Sequence, residues 1–290
     1  MNNKIVKKVL VLGASGMLGN AILKYFFLET NHIVKGLVRS DKSIKLFPKD
    51  LQEMVVSGFD AENISKIEDF IAKDVPDIVI NCIGMVKQLE ESKDPMIILP
   101  INSIFPHKLS KLCSKYSIRL IHMSTDCVFS GDKGMYKESD LPDAEDIYGI
   151  SKRFGEIDDN SSLTIRTSII GHELNSSRSL INWFLSQENQ IKGFSKAIFS
   201  GLPTIEVARV IDKFVIPNTG LNGLYHLSAD PISKYELLKL VSIIYGKIID
   251  IQIDDTFKID RSLNSNRFRE ATGYSPKKWP ALVKLMHEYK

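Results

Sequence analysis

The stretch that decides the fold is residues 9–19, Val-Leu-Val-Leu-Gly-Ala-Ser-Gly-Met-Leu-Gly. Its four apolar residues predict a buried β-strand, and three glycines at GxxGxxG spacing follow directly. Residues 20–26, Asn-Ala-Ile-Leu-Lys-Tyr-Phe, then predict the opening of a helix. In this arrangement Gly13 permits the tight turn, Gly16 lets a phosphate approach the backbone and Gly19 lets the helix pack on the strand. Because a helix N-terminus presents unpaired N–H groups to a diphosphate, the stretch predicts dinucleotide binding rather than an ordinary glycine-rich turn.

Length and composition are those of an ordinary globular chain. The 290 residues are 43% hydrophobic and 25% charged, and this length suits a nucleotide-binding domain with a smaller partner. We expect an NADP-binding domain over residues 1–170, to which part of 200–225 returns, and a mainly substrate-binding region over 171–290. The net charge of +3 is spread along the chain, which favours neither nucleic acid nor a membrane surface as a partner.

Targeting and cysteine signals favour the cytoplasm. The first apolar run is too short for the core of a signal peptide, and no later run approaches the ~20 residues of a membrane span. Cys82, Cys113 and Cys127 form no CxxC pair and are odd in number. We therefore expect reduced thiols, no metal site and a cytoplasmic location.

Strands alternate with helices through the first half of the chain. Strand patterns occur at residues 32–39, 54–60, 77–84 and 119–123, and helix patterns near 64–73 and 100–116. Strands joined in this order by crossover helices form a parallel sheet with helices on both faces. The fold class is therefore α/β, a Rossmann-type doubly wound parallel sheet with a small mixed C-terminal substrate-binding domain.

The cofactor preference is indicated at the end of the second strand. NAD-selecting folds place an acidic residue there to bind the ribose 2′-hydroxyl, whereas this chain has Arg39. A guanidinium can hold a 2′-phosphate through two hydrogen bonds, so we expect NADPH as the cofactor, with NADH as a second option. The alternative is a surface arginine at the strand end. Asp60, which closes the third strand, is expected either to bind the adenine amino group or to cap the next helix.

The fourth predicted strand ends where doubly wound sheets bind their ligands. We expect the backbone of Cys82–Gly84 to line the cofactor, with Lys87 just beyond it. Asn102 is a polar residue in the otherwise apolar opening of the following helix. The expected cofactor contacts are Gly13, Ser15, Gly16, Met17, Leu18, Arg39, Asp60, Cys82, Ile83, Gly84, Lys87, Asn102, Tyr148 and Lys152.

A candidate catalytic set follows the fifth strand. Ser124-Thr125 lies at the strand end, and Tyr148 and Lys152 form a YxxxK pair in a helix-like run. Residues i and i+4 share a helix face, so the phenol and the ammonium point into one site. A nearby ammonium lowers a phenol pKa, which favours Tyr148 as a proton donor, while a hydroxyl of Thr125 or Ser124 polarises the reacting carbonyl. The alternative for the pair is an ordinary solvated helix face.

These motifs together resemble those of a known enzyme family. The matching segments are residues 13–19, 124–131, 148–156 and 166–171. Through them the chain resembles the extended short-chain dehydrogenases/reductases and, within these, the dTDP-4-dehydrorhamnose reductase-like nucleotide-sugar 4-ketoreductases. The resemblance covers most of the chain; it is strong to about residue 171 and looser beyond it.

The resemblance implies NADPH-dependent reduction of the 4-keto group of a nucleotide-linked 6-deoxyhexose, in deoxysugar synthesis for a surface polysaccharide. The catalytic set it implies is Thr125, Tyr148 and Lys152. Two segments depart from the rhamnose enzymes: Cys127 replaces an aromatic residue, and residues 81–88 replace an alanine-rich segment. At both places the sequence is more similar to a subgroup that acts on UDP-linked 2-acetamido-2,6-dideoxy-4-ketohexoses than to the enzymes that act on dTDP-4-dehydrorhamnose.

The C-terminal part supplies further candidates. Helices are predicted over 179–185, 205–216 and 233–245, a short strand at 224–227, and loop or turn at Gly193-Phe194 and 200–204. Trp183 or Phe194 could stack on a base or sugar, with a core aromatic as the alternative for Trp183. His226 is expected to be structural, and Arg261 to hold the diphosphate. The expected substrate contacts are Lys87, Asp126, Cys127, Phe129, Trp183, Ser200 and Arg261.

Two other functions stay open. An epimerase or dehydratase with tightly bound NAD(P) is disfavoured by Arg39 and by Cys127, because related dehydratases have an Asp-Glu pair after the threonine. A non-catalytic NADP-binding regulatory subunit is disfavoured because it has no chemical need for Thr125, Tyr148 and Lys152. A nucleotide sugar is the expected partner, nucleic acid and membrane are not, and a homodimer is left open.

Overall fold

Strands and helices alternate in the structure, a computed structural model that describes residues 6–159 and 161–290. The strands in chain order are β1 (Lys8–Leu12), β2 (Ile33–Leu37), β3 (Val55–Val56), β4 (Ile78–Asn81), β5 (Arg119–Thr125), β6 (Ser162–Thr167), β7 (Ile169–Ile170), β8 (Gln190–Phe199), β9 (Leu202–Pro203), β10 (Gly223–His226), β11 (Ile232–Ser233) and β12 (Asp250–Asp260). The α-helices are α1 (Met17–Glu29), α2 (Asp41–Ile44), α3 (Lys49–Gln52), α4 (Ile64–Lys73), α5 (Pro95–Leu99), α6 (Phe105–Lys115), α7 (Ile147–Phe154), α8 (Leu180–Ser186), α9 (Thr204–Val210), α10 (Lys234–Tyr245), α11 (Asn266–Thr272) and α12 (Trp279–Glu288).

A seven-stranded sheet has the order β10-β6-β5-β4-β1-β2-β3. Strand β1 pairs in parallel with β2 on one side and with β4 on the other, so the order of the strands reverses at this point. The pairs β2–β3 and β4–β5 are parallel as well. This doubly wound arrangement confirms the predicted fold class, and its switch point between β1 and β4 is where such sheets bind ligands.

Close backbone contacts explain the glycines after β1. Gly13 has a φ of +73°, which favours glycine, and its N–H and that of Ala14 donate to the Leu37 carbonyl of β2 at 3.2 Å. A Cβ on Gly19 would overlap the Gly13 carbonyl oxygen and lie 2.9 Å from the Cα of Ala14. The turn therefore closes only because α1 can approach the strand without a side chain at this position.

Two predicted helices are interrupted by π-helical turns. The helix predicted over 100–116 consists of α5, a π-helical turn at Pro100–Ile104 and α6, so that helical structure begins at Pro95. The helix predicted over 205–216 consists of α9 and a π-helical turn at Ile211–Val215. Such turns wind the backbone more loosely and are not visible in the apolar periodicity.

One loop prediction is wrong. Gly193 and Phe194, expected in a loop, lie inside β8, which pairs in parallel with β12 and antiparallel with β11 in a three-stranded sheet. A Cβ on Gly193 would lie 2.8 Å from the Tyr235 ring and 2.9 Å from Ile251, so the glycine allows close packing rather than breaking the strand. The turn predicted over 200–204 likewise contains the short strand β9, which pairs with β7.

Helix α10, predicted to begin near residue 233, is closed at its N-terminus by a side-chain cap. Ser233 is the N-cap, and its hydroxyl accepts a hydrogen bond from the backbone N–H of Glu236 at 3.1 Å. The Glu236 carboxylate accepts in return from the backbone N–H of Ser233, which completes a capping box.

The described chain divides into two compact units. The first unit comprises residues 6–124, 146–165 and 220–224, and the second comprises 125–145, 166–219 and 225–290. The first has an apolar core that includes Leu12, Val79 and Leu120 of the sheet and Phe105 of α6. The second contains a smaller cluster of Val128, Phe129, Tyr136 and Leu263. No helix within residues 6–159 and 161–290 has the length and apolar character needed to cross a membrane.

Gly19→Ala tests the close approach of α1 to the glycine turn. The added methyl group overlaps backbone atoms that cannot move aside, so we expect the free energy of unfolding to fall by about 2 kcal/mol. Urea denaturation followed by circular dichroism measures it, and Asn20→Ala in the same helix turn is the control. A Gly19→Ala variant as stable as the control would contradict this packing.

Candidate active site

The turn between β1 and α1 offers backbone donors to an anion. Gly16 is the N-cap of α1 and provides no side-chain cap, and the first turn of the helix has no acidic residue. The first N–H groups of a helix have no partner inside the helix, and the helix dipole adds positive potential there. This cradle, which includes Ser15, Met17 and Leu18, fits the diphosphate of a dinucleotide.

Two polar residues follow the neighbouring strands of the first unit. Arg39 is exposed two residues after β2. The Asp60 carboxylate accepts a hydrogen bond from the backbone N–H of Glu62 at 3.0 Å, and the N-cap of α4 is Asn63. The alternative in which Asp60 caps the next helix is therefore wrong, because the helix begins one turn later; adenine binding by Asp60 stays a prediction.

A buried polar pair fixes the end of β4. Asn81 and His122 lie opposite each other in β4 and β5, both fully buried, and Asn81 Nδ2 donates to His122 Nδ1 at 3.0 Å. Asn81 Oδ1 accepts from the Ile83 N–H at 3.0 Å, so the pair shapes the segment Cys82–Gly84. Burial and the nearby Lys152 charge hold the His122 pKa well below its usual range, and its Nε2 has no partner among the described residues.

Asn102 ties the chain after β4 to helix α7. It is buried in the π-helical turn, where its Oδ1 accepts from the Met85 N–H at 2.8 Å. Its Nδ2 donates to the Met85 carbonyl and to the Ser151 hydroxyl, both at 3.1 Å. Asn102 thus uses its amide to hold the segment that follows Cys82–Gly84, and a direct contact with the cofactor stays a prediction.

An ion pair links Lys87 to the start of α7. Lys87 Nζ lies 2.9 Å from Asp146 Oδ2. Asp146 is the N-cap of α7, and its other oxygen accepts from the Gly149 N–H at 3.1 Å. Because both side chains are partly exposed, the pair orients Lys87 more than it adds stability.

Helix α7 carries the predicted acid–base pair. Tyr148 and Lys152 occupy positions i and i+4 of this helix, as the sequence predicts. Tyr148 is half-buried, whereas Lys152 is buried and its Nζ donates to the Met123 carbonyl of β5 at 2.8 Å. Burial lowers the pKa of Lys152 to about 8, against an opposing effect of Glu156. The ordinary solvated helix face is therefore the wrong alternative for Lys152.

The two hydroxyls at the end of β5 have different partners. Ser124 Oγ donates to Glu156 Oε1 at 2.7 Å. Thr125 Oγ1 donates to Asp126 Oδ1 at 3.2 Å and accepts from the Cys127 N–H at 3.1 Å, which caps a 3₁₀ turn at Asp126–Val128. Both hydroxyls are thus held in defined orientations.

Asp126 and Arg261 are neighbours in the second unit. Burial raises the pKa of Asp126, while Arg261 and nearby hydrogen bonds act in the opposite direction. Arg261 Nε donates to the Phe129 carbonyl at 2.7 Å, and its Nη1 lies 3.7 Å from the Cys127 Sγ. The guanidinium therefore holds the segment after Thr125 in place, and its proposed grip on a diphosphate stays a prediction.

Other predicted substrate contacts differ in exposure. Phe129 is fully buried and stacks on Tyr136 with 4.1 Å between ring centroids. Ser200 is also buried, and its hydroxyl accepts from the Leu263 N–H at 2.9 Å. Their burial does not favour direct contact of either side chain with a ligand. Trp183 is 36% exposed, so its alternative placement in the core is wrong.

His226 is structural, as expected. It is fully buried in the second unit, where its Nδ1 lies 3.0 Å from the Tyr136 carbonyl. Its Nε2 lies 3.3 Å from Arg166 Nη1, so this nitrogen is the acceptor of the pair. Burial lowers the pKa of His226 to about 3, which keeps the ring neutral beside the guanidinium. No cluster of three or more His, Cys, Asp or Glu side chains suited to a metal occurs in the described part of the chain.

A known protein family matches most of the chain. The model of the RmlD substrate-binding domain family matches residues 7–244. The chain belongs to this family. A "Probable low-salt glycan biosynthesis reductase Agl14" of Haloferax volcanii is 33% identical over 50% of the chain, which spans only 46% of that relative. A dTDP-4-dehydrorhamnose reductase of Aggregatibacter actinomycetemcomitans is 22% identical over 97% of the chain and 99% of that protein.

A solved structure shares the whole fold of this RmlD-family chain. The dTDP-4-dehydrorhamnose reductase of Bacillus anthracis, crystallised in complex with NADP, superposes with a TM-score of 0.79 at 21% identity. The match covers 99% of this chain and 100% of that one. At this level of identity the likeness establishes the fold alone.

Several residues that shape this candidate site in the RmlD-family chain were not predicted from the sequence. Asn81 and His122 are polar residues inside otherwise apolar strands, a signal that could have identified them as a buried pair. Asp146 directly precedes a helix, as N-cap residues do. Glu156 ends the matching segment 148–156, but no local signal links it to its partner Ser124, which lies 32 positions earlier in the chain.

Asp126→Asn tests the burial of this carboxyl in the RmlD-family chain. Well below the ordinary carboxyl pKa of 3.8, folded and unfolded chains both keep the proton, whereas above it the unfolded chain releases the proton and the folded chain retains it to higher pH. The parent therefore loses stability relative to Asp126→Asn as the pH rises through the ordinary carboxyl pKa of 3.8 toward the raised folded value. Urea denaturation at several pH values from about pH 3 to pH 8 measures the difference.

The exposed Asp132 provides the matched control for this comparison, because Asp132→Asn removes the same charge from the same segment. We expect its effect on stability to stay nearly constant with pH. A constant difference for Asp126→Asn as well would show that this carboxyl is not desolvated.

Proposed function

We propose that the chain is a cytoplasmic NADPH-dependent reductase that acts on the 4-keto group of a nucleotide-linked 6-deoxyhexose. The observation that carries the proposal is the placement of Tyr148 and Lys152 one helical turn apart on α7, with the Lys152 ammonium buried against the Met123 carbonyl. Burial of a lysine, which lowers its pKa to about 8, costs stability. Such a lysine one helical turn from a half-buried tyrosine is typical of sites of acid–base catalysis.

The first unit supplies the residues that would hold the cofactor. The backbone of Gly13, Gly16 and the first turn of α1 fits its diphosphate, and the exposed Arg39 is available for a 2′-phosphate. The segment Cys82–Gly84, shaped by Asn81, ends the strand next to β1 at the switch point. When bound, NADPH supplies the hydride for reduction of a carbonyl group.

The chain's own residues then handle the proton and the developing charge. Tyr148 donates its phenolic proton to the oxygen of the reduced carbonyl. The Lys152 ammonium stabilises the phenolate that remains and so makes this donation easier. Thr125, at the end of β5, offers the hydroxyl that polarises the carbonyl. Tyr148, Lys152 and Thr125 are thus the proposed catalytic residues.

The substrate proposal includes two nucleotide sugars. The names of the relatives, a glycan-biosynthesis reductase and a dTDP-4-dehydrorhamnose reductase, support a role in deoxysugar and polysaccharide synthesis. Cys127 and the segment 81–88 favour a UDP-linked 2-acetamido-2,6-dideoxy-4-ketohexose over dTDP-4-dehydrorhamnose. Cys127 also lacks a carboxyl group for water elimination, which disfavours a dehydratase.

The test is NADPH oxidation with a panel of 4-keto-6-deoxy nucleotide sugars that includes the dTDP-linked neutral sugar and the UDP-linked N-acetyl sugars. We expect turnover with one member of the panel and a preference for NADPH over NADH. Silence across the panel with tight NADPH binding would instead support a regulatory subunit.

Tyr148→Phe tests the proton donor. Without the phenolic hydroxyl the developing alkoxide has no acid, so we expect kcat to fall by at least ~100-fold. Binding of NADPH, measured by fluorescence titration, should persist because the ring remains. Tyr116→Phe, which removes a hydroxyl bonded to Glu68 elsewhere in the first unit, is the control. Full activity of Tyr148→Phe would exclude this role.

Arg39→Ala tests the cofactor preference. Loss of a charge-assisted hydrogen bond to a 2′-phosphate should raise the KM for NADPH about tenfold while leaving the KM for NADH unchanged. Steady-state kinetics with both cofactors measure the ratio, and Lys49→Ala, another exposed cation of the first unit, is the control. An equal change for both cofactors would mean that Arg39 does not contact the 2′-position.

A further inference from the structure

A carboxylate follows the predicted acid–base pair at the end of α7. Glu156 follows Lys152 by four positions and comes immediately after Gly155, the C-cap of α7. Its Oε1 accepts a hydrogen bond from Ser124 Oγ at 2.7 Å. Ser124 follows Met123, whose carbonyl accepts from Lys152 Nζ at 2.8 Å. The ammonium and the carboxylate are therefore anchored to neighbouring residues of β5.

The backbone holds Glu156 at this place. Gly155 packs so closely on the π-helical turn that a Cβ there would overlap the Asn102 carbonyl oxygen. The Gly155 N–H also donates to the carbonyls of Ser151 and Lys152, at 3.2 and 3.1 Å, as α7 ends. The chain can leave the helix in this direction only because residue 155 is glycine, and this exit directs Glu156 toward β5.

The titratable groups around Lys152 differ in charge. The Cys82 thiol at the end of β4 has a pKa raised by burial to about 12 and is neutral at physiological pH. His122 of β5 is neutral because burial holds its pKa far below the usual range. The π-helical turn contributes the uncharged Asn102, whose Oδ1 lies near Gly84 as Lys152 Nζ does. Glu156 is the group among these that carries a negative charge toward the ammonium.

We propose that Glu156 is a positioning residue whose carboxylate, anchored by Ser124, is the counter-charge of the buried Lys152 ammonium. Without it the ammonium is desolvated against the neutral Met123 carbonyl, and the neutral amine becomes the favoured form at a lower pH. For catalysis, a consequence that rests on the proposed function, Glu156 keeps Lys152 charged at the pH at which Tyr148 donates its proton.

The direct test follows the Lys152 amine in the protein without cofactor or substrate. NMR spectra of protein with ¹³C at the lysine ε-carbons give the titration of each amine, and Lys152→Met assigns the Lys152 signal. In Glu156→Gln, which keeps an acceptor for Ser124 but removes the charge, we expect the Lys152 titration to move to lower pH by about one unit. Glu53→Gln, on an exposed position of the first unit, is the charge-matched control and should leave it unchanged.

Two further variants complete the test. Glu156→Asp restores the charge, so we expect its Lys152 titration to return toward that of the parent. Ser124→Ala releases the carboxylate without removing it and should give a smaller shift in the same direction; it also serves if Glu156→Gln does not fold. An unchanged Lys152 titration in both Glu156→Gln and Ser124→Ala would overturn the proposal.

The pH dependence of kcat/KM for sugar reduction separates this proposal from the proposed function. Loss of the Lys152 charge ends the favourable pH range on the alkaline side, so this limb should move to lower pH in Glu156→Gln by the shift that NMR measures. If the parent protein is inactive on every sugar but Glu156→Gln still shifts the Lys152 titration, the proposed function is wrong and the charge pair stands. If the parent is active and the titration does not shift, the charge pair is wrong and the proposed function stands.

Discussion

The hydrogen bond from Lys152 Nζ to the Met123 carbonyl joins helix α7 to strand β5 within the first unit. An ammonium taken out of water costs several kcal/mol unless acceptors and opposite charge surround it. Much of the local structure serves this requirement. Gly155 ends the helix against Asn102, and Glu156 binds Ser124, the residue next to the Met123 carbonyl that accepts from Lys152. Asp146 fixes the other end of the helix as its N-cap, so Tyr148 sits in the first turn of a helix that is held at both ends.

Buried polar side chains in β4 and β5 likewise need partners. Asn81 and His122 place polar side chains in an apolar layer, where an unpaired amide or imidazole is costly. They pair with each other, and Asn81 uses its remaining oxygen on the Ile83 N–H. Asn102 does the same for Met85 two residues further on. The segment at the switch point thus takes its shape from buried side chains.

Local signals predicted most of the first unit. The apolar run before Gly13, the glycine spacing and the Tyr148–Lys152 interval each act over a few residues, and the structure has a strand, a turn and a shared helix there. Parallel strands joined by helices also have few alternatives in topology, so the doubly wound fold class followed from the element order.

Long-range contacts explain what the sequence could not predict. Gly193 has the local pattern of a loop, and only the neighbouring Tyr235 and Ile251 show why a strand needs glycine there. The Ser124–Glu156 bond joins residues separated by a loop and a helix, and its meaning depends on a third residue, Lys152. Contacts between residues so far apart in the sequence form only when the chain folds. The Tyr148–Lys152 interval is therefore visible in the sequence, whereas the burial of Lys152 and the bond between Ser124 and Glu156 appear only in the folded chain.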